Sequence, residues 1–206
     1  MEEKSKKINI DDAVEYLNSK DSKFNKICSH VGKIEFYKNE LNFESLVKII
    51  INQQLSNIAA NTIFLRLKNL VNSNNKLDSE IIRNIDIKKL RKCGISNAKS
   101  NYIINLSNIL LDNTNLFNDW KKLDYENASI EIQKIKGFGK WSSDIIQLSY
   151  LGNLDVLPIN DATIKKAILK IYNFNLDIDT EKKLDWARPY RSILSRYLWR
   201  WIDLGS

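Results

Sequence analysis

Two glycines flank one aromatic residue in the stretch IKGFGKW at 135–141, and this feature constrains the fold most. Apolar residues at helical spacing precede and follow it, which predicts a helix, a tight glycine turn and a second helix over about 128–151. Glycine adopts positive φ readily and lets another backbone approach closely. The spacing predicts free amides on Phe138, Gly139 and Lys140, which would form an anion site at the start of the second helix. On these residues alone, an ordinary turn between helices is the better-supported alternative.

The rest of the chain predicts an all-α protein. It has only two prolines and six glycines in 206 residues, and most apolar residues recur at spacings of three and four. Two cysteines are too few for a four-cysteine iron–sulfur cluster, and a single histidine excludes a His-rich zinc site. The formal net charge of +7 favours a polyanionic partner. No apolar run approaches the roughly 18 residues of a membrane span, so we expect a soluble intracellular protein.

Two adjacent glutamines, Gln53 and Gln54, lie between apolar helical faces at 43–51 and 59–70. Ser56 is placed to N-cap the second of these helices. A glutamine amide can donate to and accept from an exposed base, and its length lets it fill a space in a duplex. The alternative is a solvated junction without a specific role, which the two residues by themselves favour.

Asp161 ends the loop DVLPIND and directly precedes the apolar-periodic segment ATIKKAILKIY. It is therefore placed to N-cap that helix, and on spacing alone capping is the better-supported role. A second, chemical role is compatible with capping, because the N–H groups at a helix start stabilise a negative charge.

The final helix, PYRSILSRYLWRW at 189–201, is rich in arginine and aromatic residues. The pattern predicts Pro189 near its first turn, where a missing N–H costs nothing. Tyr197 and Trp201 are predicted to be core residues, whereas Trp199 lies on a different face of the helix.

Four segments together resemble those of the helix-hairpin-helix/Gly-Pro-Asp (HhH-GPD) superfamily of DNA glycosylases, and within it the 3-methyladenine DNA glycosylase II group. They are IINQQLSNIAANTI at 50–63, LRKCGISNAKSNYI at 90–103, IKGFGKW followed by DVLPIND, and WARPYRSILSRYLW at 186–199. The resemblance implies an all-α, two-lobed helical bundle with the active cleft between the lobes. It implies one unit over 1–206, with a middle lobe at about 43–155 and a second lobe formed by about 9–42 together with 156–206.

The resemblance also implies roles for individual residues. Asp161 matches the catalytic aspartate of the family, and Gln54 matches the wedge that fills the gap left by a flipped nucleotide. The other implied site residues are the base-pocket residues Trp141, Trp199 and Ile145, and the DNA phosphate-binding residues Gly137, Phe138, Gly139 and Lys140. Ile145 departs from the family pattern, in which this position is often aromatic, and this leaves the substrate range open.

The implied function is that of a monofunctional DNA glycosylase acting in base excision repair. It would hydrolyse the N-glycosidic bond of alkylated purines, of the 3-methyladenine and 7-methylguanine type, in double-stranded DNA and leave an abasic site. Members of the superfamily that also cleave the strand carry a Schiff-base lysine where this chain has Trp141, so no AP-lyase activity is expected. No cofactor or metal is implied, although a monovalent cation at the hairpin carbonyls is left open. We expect a monomer without membrane partners, cytoplasmic and nucleoid-associated in a prokaryote or nuclear in a eukaryote.

Three alternatives remain at the level of the sequence. The enzyme could excise a deaminated or mismatched base instead. A non-catalytic helix-hairpin-helix module that binds DNA would need the hairpin and the basic charge, but not Asp161, the glutamine pair or Trp199. A helical scaffold that binds protein would leave the charge of +7 unexplained.

The basic cluster of Lys88, Lys89, Arg91 and Lys92 is read either as a solvated face or as a phosphate contact.

Overall fold

A computed structural model describes residues 6–71, 77–174 and 180–205 of the chain. Its helices are α1 (Asp11–Lys20), α2 (Ser22–Val31), α3 (Phe43–Asn52), α4 (Asn57–Leu70), α5 (Ser79–Arg83), α6 (Ile87–Lys92), α7 (Asn97–Asp112), α8 (Leu116–Lys122), α9 (Tyr125–Gln133), α10 (Lys140–Ile146), α11 (Ala162–Tyr172), α12 (Thr180–Lys183) and α13 (Arg191–Asp203). A π-helical turn at Gln147–Leu151 follows α10 directly, and a 3-10 turn at Asp185–Ala187 precedes α13. None of the described helices has the length and apolar character that a membrane crossing requires.

The all-α prediction is confirmed, with one small addition. Two three-residue strands, β1 (Lys6–Ile8) and β2 (Phe36–Lys38), pair antiparallel with Ile8 opposite Phe36. The sequence did not reveal them, because three residues are too few to show the alternation of a strand.

The described residues pack as two units. One comprises the described residues up to Asn39 together with those from Asp144 onward, and the other comprises those of Glu40–Ser143. In the first unit α13 packs against α2 and α11, whereas in the second α7 packs against α3 and α5. The lobes predicted with boundaries near 43 and 155 stay a prediction; by backbone packing, the boundaries fall at 40 and 144.

The C-terminal helix α13 supplies much of the core of the first unit. Tyr197 is only 2% exposed and meets the ring of Phe24 edge-on, with the centroids 5.2 Å apart, which confirms its predicted core position. Trp201 is half-buried. Pro189 lies near the first turn of α13, as predicted, and the N–H of Tyr190 donates to the carbonyl of Ala187 to close a separate turn just before α13 begins.

In the second unit the predicted N-cap Ser56 is confirmed. Its hydroxyl accepts from the backbone N–H of Ala59 and caps α4. Two further caps have the same form: the Asp86 carboxylate accepts from the backbone N–H of Lys88 at the start of α6, and the Ser96 hydroxyl accepts from the backbone N–H of Lys99 at the start of α7. Each cap satisfies one of the backbone donors that a helix start leaves unpaired.

Candidate nucleic-acid interface and active site

The two hairpin glycines are required for different reasons. Gly137 has φ +104°, and a Cβ there would lie 2.6 Å from the ring of Tyr102, so only glycine fits. Gly139 does not need a positive φ, and a Cβ at this position would meet nothing within 4 Å. The packing of the protein therefore explains Gly137 but not Gly139, which faces open space that an external backbone could occupy.

The amides of the hairpin differ from the prediction in one respect. The N–H of Phe138 donates to the carbonyl of Ile135 at 3.0 Å, so it closes the turn and is not free for a phosphate. The side chain of Phe138 is 5% exposed and belongs to the core. The N–H of Gly139 has no hydrogen-bond partner within the described ranges and lies directly before α10. Gly139 thus offers the clearest donor for an anion at this helix start.

Polar side chains occupy the surroundings of the hairpin. The ammonium of Lys140 donates to the hydroxyl of Tyr125 and lies 4.5 Å from the centroid of that ring. These contacts with Tyr125 hold the positive charge of Lys140 near the first turn of α10, where it adds to the helix dipole. On the other side of the turn, the carbonyl of Gly137 accepts from the side-chain amide of Gln53 at 2.7 Å.

The two adjacent glutamines have separate structural roles. Gln53 is half-buried, and its Nε2 donates to the carbonyl of Gly137 and, at 3.0 Å, to the hydroxyl of Ser142. Gln54 is exposed and has φ +58°, which is uncommon for a residue other than glycine. Gln53 therefore ties the junction after α3 to the hairpin, whereas Gln54 extends into solvent from a constrained turn.

Asp161 is the N-cap of α11, as its position predicts. Its Oδ1 accepts hydrogen bonds from the backbone N–H groups of Thr163 at 2.9 Å and Ile164 at 3.0 Å. The same oxygen accepts from the indole Nε1–H of Trp199 at 3.0 Å. Both side chains are half-buried. The structure thus brings the predicted catalytic carboxylate and one predicted pocket residue into direct contact.

The predicted site residues divide between the two units. Gln54, the hairpin and Trp141 belong to the unit of Glu40–Ser143, and Ile145, Asp161 and Trp199 belong to the other. Trp141 is half-buried in the first turn of α10, and Ile145 is half-buried one turn later. Within the described residues, no group of three or more His, Cys, Asp or Glu side chains could hold a metal ion.

The basic cluster at α6 lines an open depression of about 610 Å³. Lys88, Arg91 and Lys92 contribute to it, and it extends to the start of α7. None of the three forms an ion pair with a carboxylate in the described part of the chain. The depression thus carries three cationic side chains that pair with no described carboxylate.

Comparison with known proteins decides the family. A family model described as HhH-GPD superfamily base excision DNA repair protein matches residues 47–189. The chain belongs to this superfamily. It is 26% identical over 195 residues to the alkylbase DNA glycosidase-like protein mag2 of Schizosaccharomyces pombe, a match covering 91% of this chain and 92% of that protein. It is also 26% identical over 169 residues to DNA-3-methyladenine glycosylase 1 of the same organism, covering 80% and 74%.

A solved structure shares the HhH-GPD fold. The 3-methyladenine DNA glycosylase Mag1 of Schizosaccharomyces pombe, in complex with abasic DNA, superposes with a TM-score of 0.81 at 24% identity. The match covers 92% of this chain and 95% of that chain.

Sequence reasoning missed two side chains that support the HhH-GPD site. Lys99 donates to the carbonyls of Ile51 at 2.9 Å and Gln53 at 2.6 Å, at the end of α3. Burial lowers the pKa of Lys99. These two bonds satisfy carbonyls that a helix end leaves unpaired, and so they stabilise the turn that carries Gln54. Only the position of Lys99 in a family-like segment hinted at a role.

The second missed side chain is Arg191, which clamps the loop before Asp161. Its Nε donates to the Asp155 carboxylate at 2.6 Å, and its Nη2 donates to the backbone carbonyl of Asp155 at 2.9 Å. The neighbouring Ser192 accepts from the backbone N–H of Val156 at 2.9 Å. The start of α13 therefore fixes the course of the chain toward Asp161.

Proposed function

We propose that this chain is a monofunctional DNA glycosylase for alkylated purines, of the 3-methyladenine and 7-methylguanine type, in double-stranded DNA. The observation that carries the proposal is the hydrogen bond between Trp199 and Asp161. It combines a carboxylate at a helix start with an aromatic ring that can hold a base. The names of the relatives, an alkylbase glycosidase-like protein and a 3-methyladenine glycosylase, also support it.

The first step of the proposed reaction is extrusion of the nucleotide. The glycosidic bond is shielded inside a duplex, and flipping the nucleotide out costs a few kcal/mol. The amide of Gly139 and the charge of Lys140 would bind a backbone phosphate at the start of α10. The exposed side chain of Gln54 would fill the space that the base leaves. Both interactions offset the cost of flipping.

The second step is cleavage of the bond at C1′ of the sugar. The transition state resembles an oxocarbenium ion, and a fixed negative charge nearby stabilises it. Asp161 would supply this charge and orient the attacking water. An N-alkylated purine is already cationic and leaves as a neutral base, so no dedicated general acid is required. Water adds to C1′ and releases one proton to Asp161 or to solvent, while the cationic purine departs as a neutral base with the electron pair of the glycosidic bond.

Base recognition is assigned to Trp199 and Trp141. An electron-poor cationic base is attracted to the electron-rich face of an indole. Ile145 would add an aliphatic surface rather than a third aromatic ring. The chain carries Trp141 where strand-cleaving relatives carry a lysine. We therefore propose hydrolysis that leaves an abasic site without strand cleavage, by a monomer and without a cofactor.

A glycosylase assay over a panel of lesions tests the proposal. Duplexes would carry 7-methylguanine, 1,N6-ethenoadenine, hypoxanthine or uracil at one position, and strand breaks would be scored with and without alkali. We expect excision of the alkylated purines, with breaks only after alkali. Excision of uracil or hypoxanthine alone would favour the enzyme for deaminated bases. Tight binding of abasic DNA without excision of any lesion would favour the non-catalytic module.

A further inference from the structure

An arginine that pairs with no described carboxylate lies against the indole of Trp199. The guanidinium carbon of Arg196 is 5.9 Å from the centroid of the Trp199 ring and 5.1 Å from that of Phe36. Its Nη2 donates to the hydroxyl of Ser149 at 3.2 Å, and its Nε is buried without a hydrogen-bond partner in the described residues. No described carboxylate forms an ion pair with Arg196.

Arg191, on the same helix, differs from Arg196 because it pairs with a carboxylate. The side chain of Arg191 is 7% exposed and is paired with Asp155. Burial of Arg196 lowers its pKa, yet an arginine remains protonated at any physiological pH. A buried charge that is neither paired nor fully hydrogen-bonded is costly, and two aromatic faces offset only part of the cost. The Nε is enclosed and the guanidinium lies against two aromatic rings, so we assign the effect of the charge to these neighbours.

We propose that Arg196 tunes the base selectivity of the site, by reducing its preference for cationic alkylated bases relative to neutral lesions. The proposal rests on the function proposed above, in which Trp199 contacts the flipped base. A base stacked on Trp199 would lie close to a buried positive charge, and like charges in a poorly solvated site repel. The guanidinium also attracts the π electrons of the indole, which are then less available to a cationic base.

The electrostatics predict in which kinetic parameter the selectivity appears. The ratio kcat/KM compares the free reactants with the transition state. At the transition state a cationic base still carries part of its positive charge, whereas a neutral base has gained negative charge. Arg196 therefore lowers kcat/KM for the first and raises it for the second. Arg196 changes the single-turnover rate of the saturated complex by a similar factor for the cationic and the neutral base. In both cases the charge of the base becomes more negative by the same amount between the bound state and the transition state.

The test compares two neutral variants, Arg196→Met and Arg196→Gln, with the control Arg200→Met. Arg200 lies on the same helix but is exposed, so its loss removes the same charge from a solvated position. The substrates are duplexes with 7-methylguanine, which is cationic in mildly acidic buffer, or with neutral 1,N6-ethenoadenine. We expect both Arg196 variants to raise the ratio of kcat/KM for 7-methylguanine to kcat/KM for ethenoadenine by about fivefold or more. The control Arg200→Met should change this ratio less than about twofold.

The ratio of the saturated single-turnover rates for the two substrates should stay within about twofold of the wild-type ratio. An equal loss on both substrates would assign Arg196 only to the positioning of Trp199 and would overturn the proposal.

Binding without cleavage gives a second readout that does not depend on activity. A 2′-fluoro substituent on the sugar destabilises the oxocarbenium-like state, so both lesions can be bound intact. Each Arg196 variant should strengthen binding of the cationic duplex relative to the neutral one, by about threefold or more. If the wild-type protein excised neither lesion but this ratio still moved, the glycosylase proposal would fail and the selectivity would stand. If the wild-type protein excised 7-methylguanine and neither ratio moved, the selectivity alone would fail.

Discussion

The indole Nε1–H of Trp199 donates a 3.0 Å hydrogen bond to the same oxygen of Asp161 that caps α11. Two helices therefore orient one carboxylate: α11 through its first N–H groups and α13 through the indole. Arg191 adds a third restraint by clamping the loop that leads to Asp161. A negative charge held in place before the reaction loses little energy to reorganisation when positive charge develops nearby.

The two hairpin glycines should respond differently to substitution. Gly139→Asp should leave thermal stability nearly unchanged, because a Cβ meets no atom there, but it should weaken binding of an abasic-analogue duplex at least about tenfold in low salt. Gly137→Ala should lower the free energy of unfolding by more than about 1 kcal/mol, because of its positive φ and its contact with Tyr102. Calorimetry and fluorescence anisotropy measure the two effects. Wild-type affinity in Gly139→Asp would remove the hairpin from the interface.

Salt dependence provides an independent check of the same interface. The logarithm of the association constant should fall by about 0.9 per logarithmic unit of salt for each phosphate neutralised. A slope near zero would mean that the net charge of +7 does not contribute to DNA binding.

Gln54 and Gln53 should also separate experimentally. Gln54→Ala should change the free energy of unfolding by less than about 0.5 kcal/mol, because its side chain makes no hydrogen bond in the described structure. It should slow excision of a paired lesion much more than excision of the same lesion opposite a gap. Gln53→Ala should instead destabilise the protein by about 1–2 kcal/mol through the lost bonds to Gly137 and Ser142. Equal loss of activity on paired and gapped substrates in Gln54→Ala would exclude a wedge.

These contrasts show what the sequence can predict and what it cannot. Helix caps such as Ser56 and Asp161 are local, since the capping residue and its donors are two or three positions apart, and they were predicted correctly. The partner of Trp199 could not be predicted, because Asp161 lies 38 positions away and only tertiary packing brings them together. Tertiary packing also decides that the side chain of Gln53 forms hydrogen bonds, whereas that of Gln54 forms none among the described residues.

The Phe138 amide and Arg196 show two further limits. A glycine spacing predicts a turn but not which N–H closes it, so the Phe138 amide was wrongly predicted to be free. An arginine in an aromatic-rich helix looks solvated until its burial between Phe36 and Trp199 is known.

Lys99 should affect the wedge without touching DNA. Lys99→Met leaves the carbonyls of Ile51 and Gln53 without their donor and should lower the free energy of unfolding by about 1–3 kcal/mol. Because the turn carrying Gln54 loses support, excision of a paired lesion should slow more than excision opposite a gap. The control Lys121→Met removes the same charge from an exposed position on α8. A Lys99→Met protein with wild-type stability would show that these bonds do not hold the turn.

Strand cleavage should be absent. With Trp141 in place of the Schiff-base lysine, borohydride should trap no covalent complex between the protein and lesion-bearing DNA. Denaturing electrophoresis resolves such a complex from free protein. A trapped adduct would identify a lysine nucleophile and would contradict hydrolysis by water.

Asp161 is proposed to supply the catalytic charge as well as the helix cap, and one substitution separates the two roles. Asparagine caps a helix about as well as aspartate, so Asp161→Asn should keep the free energy of unfolding within about 1 kcal/mol of wild type. Asp78→Asn is the matched control, since Asp78 caps α5 by accepting from the N–H of Glu80.

The deciding measurement is the single-turnover rate of 7-methylguanine excision from a duplex by Asp161→Asn, with binding to abasic DNA measured in parallel. The excision rate should fall at least about 100-fold, because the charge that stabilises the oxocarbenium-like state is lost. Binding should be retained and Asp78→Asn should stay active. An Asp161→Asn protein that excises the base at the wild-type rate would contradict the assignment of Asp161 and with it the proposed mechanism.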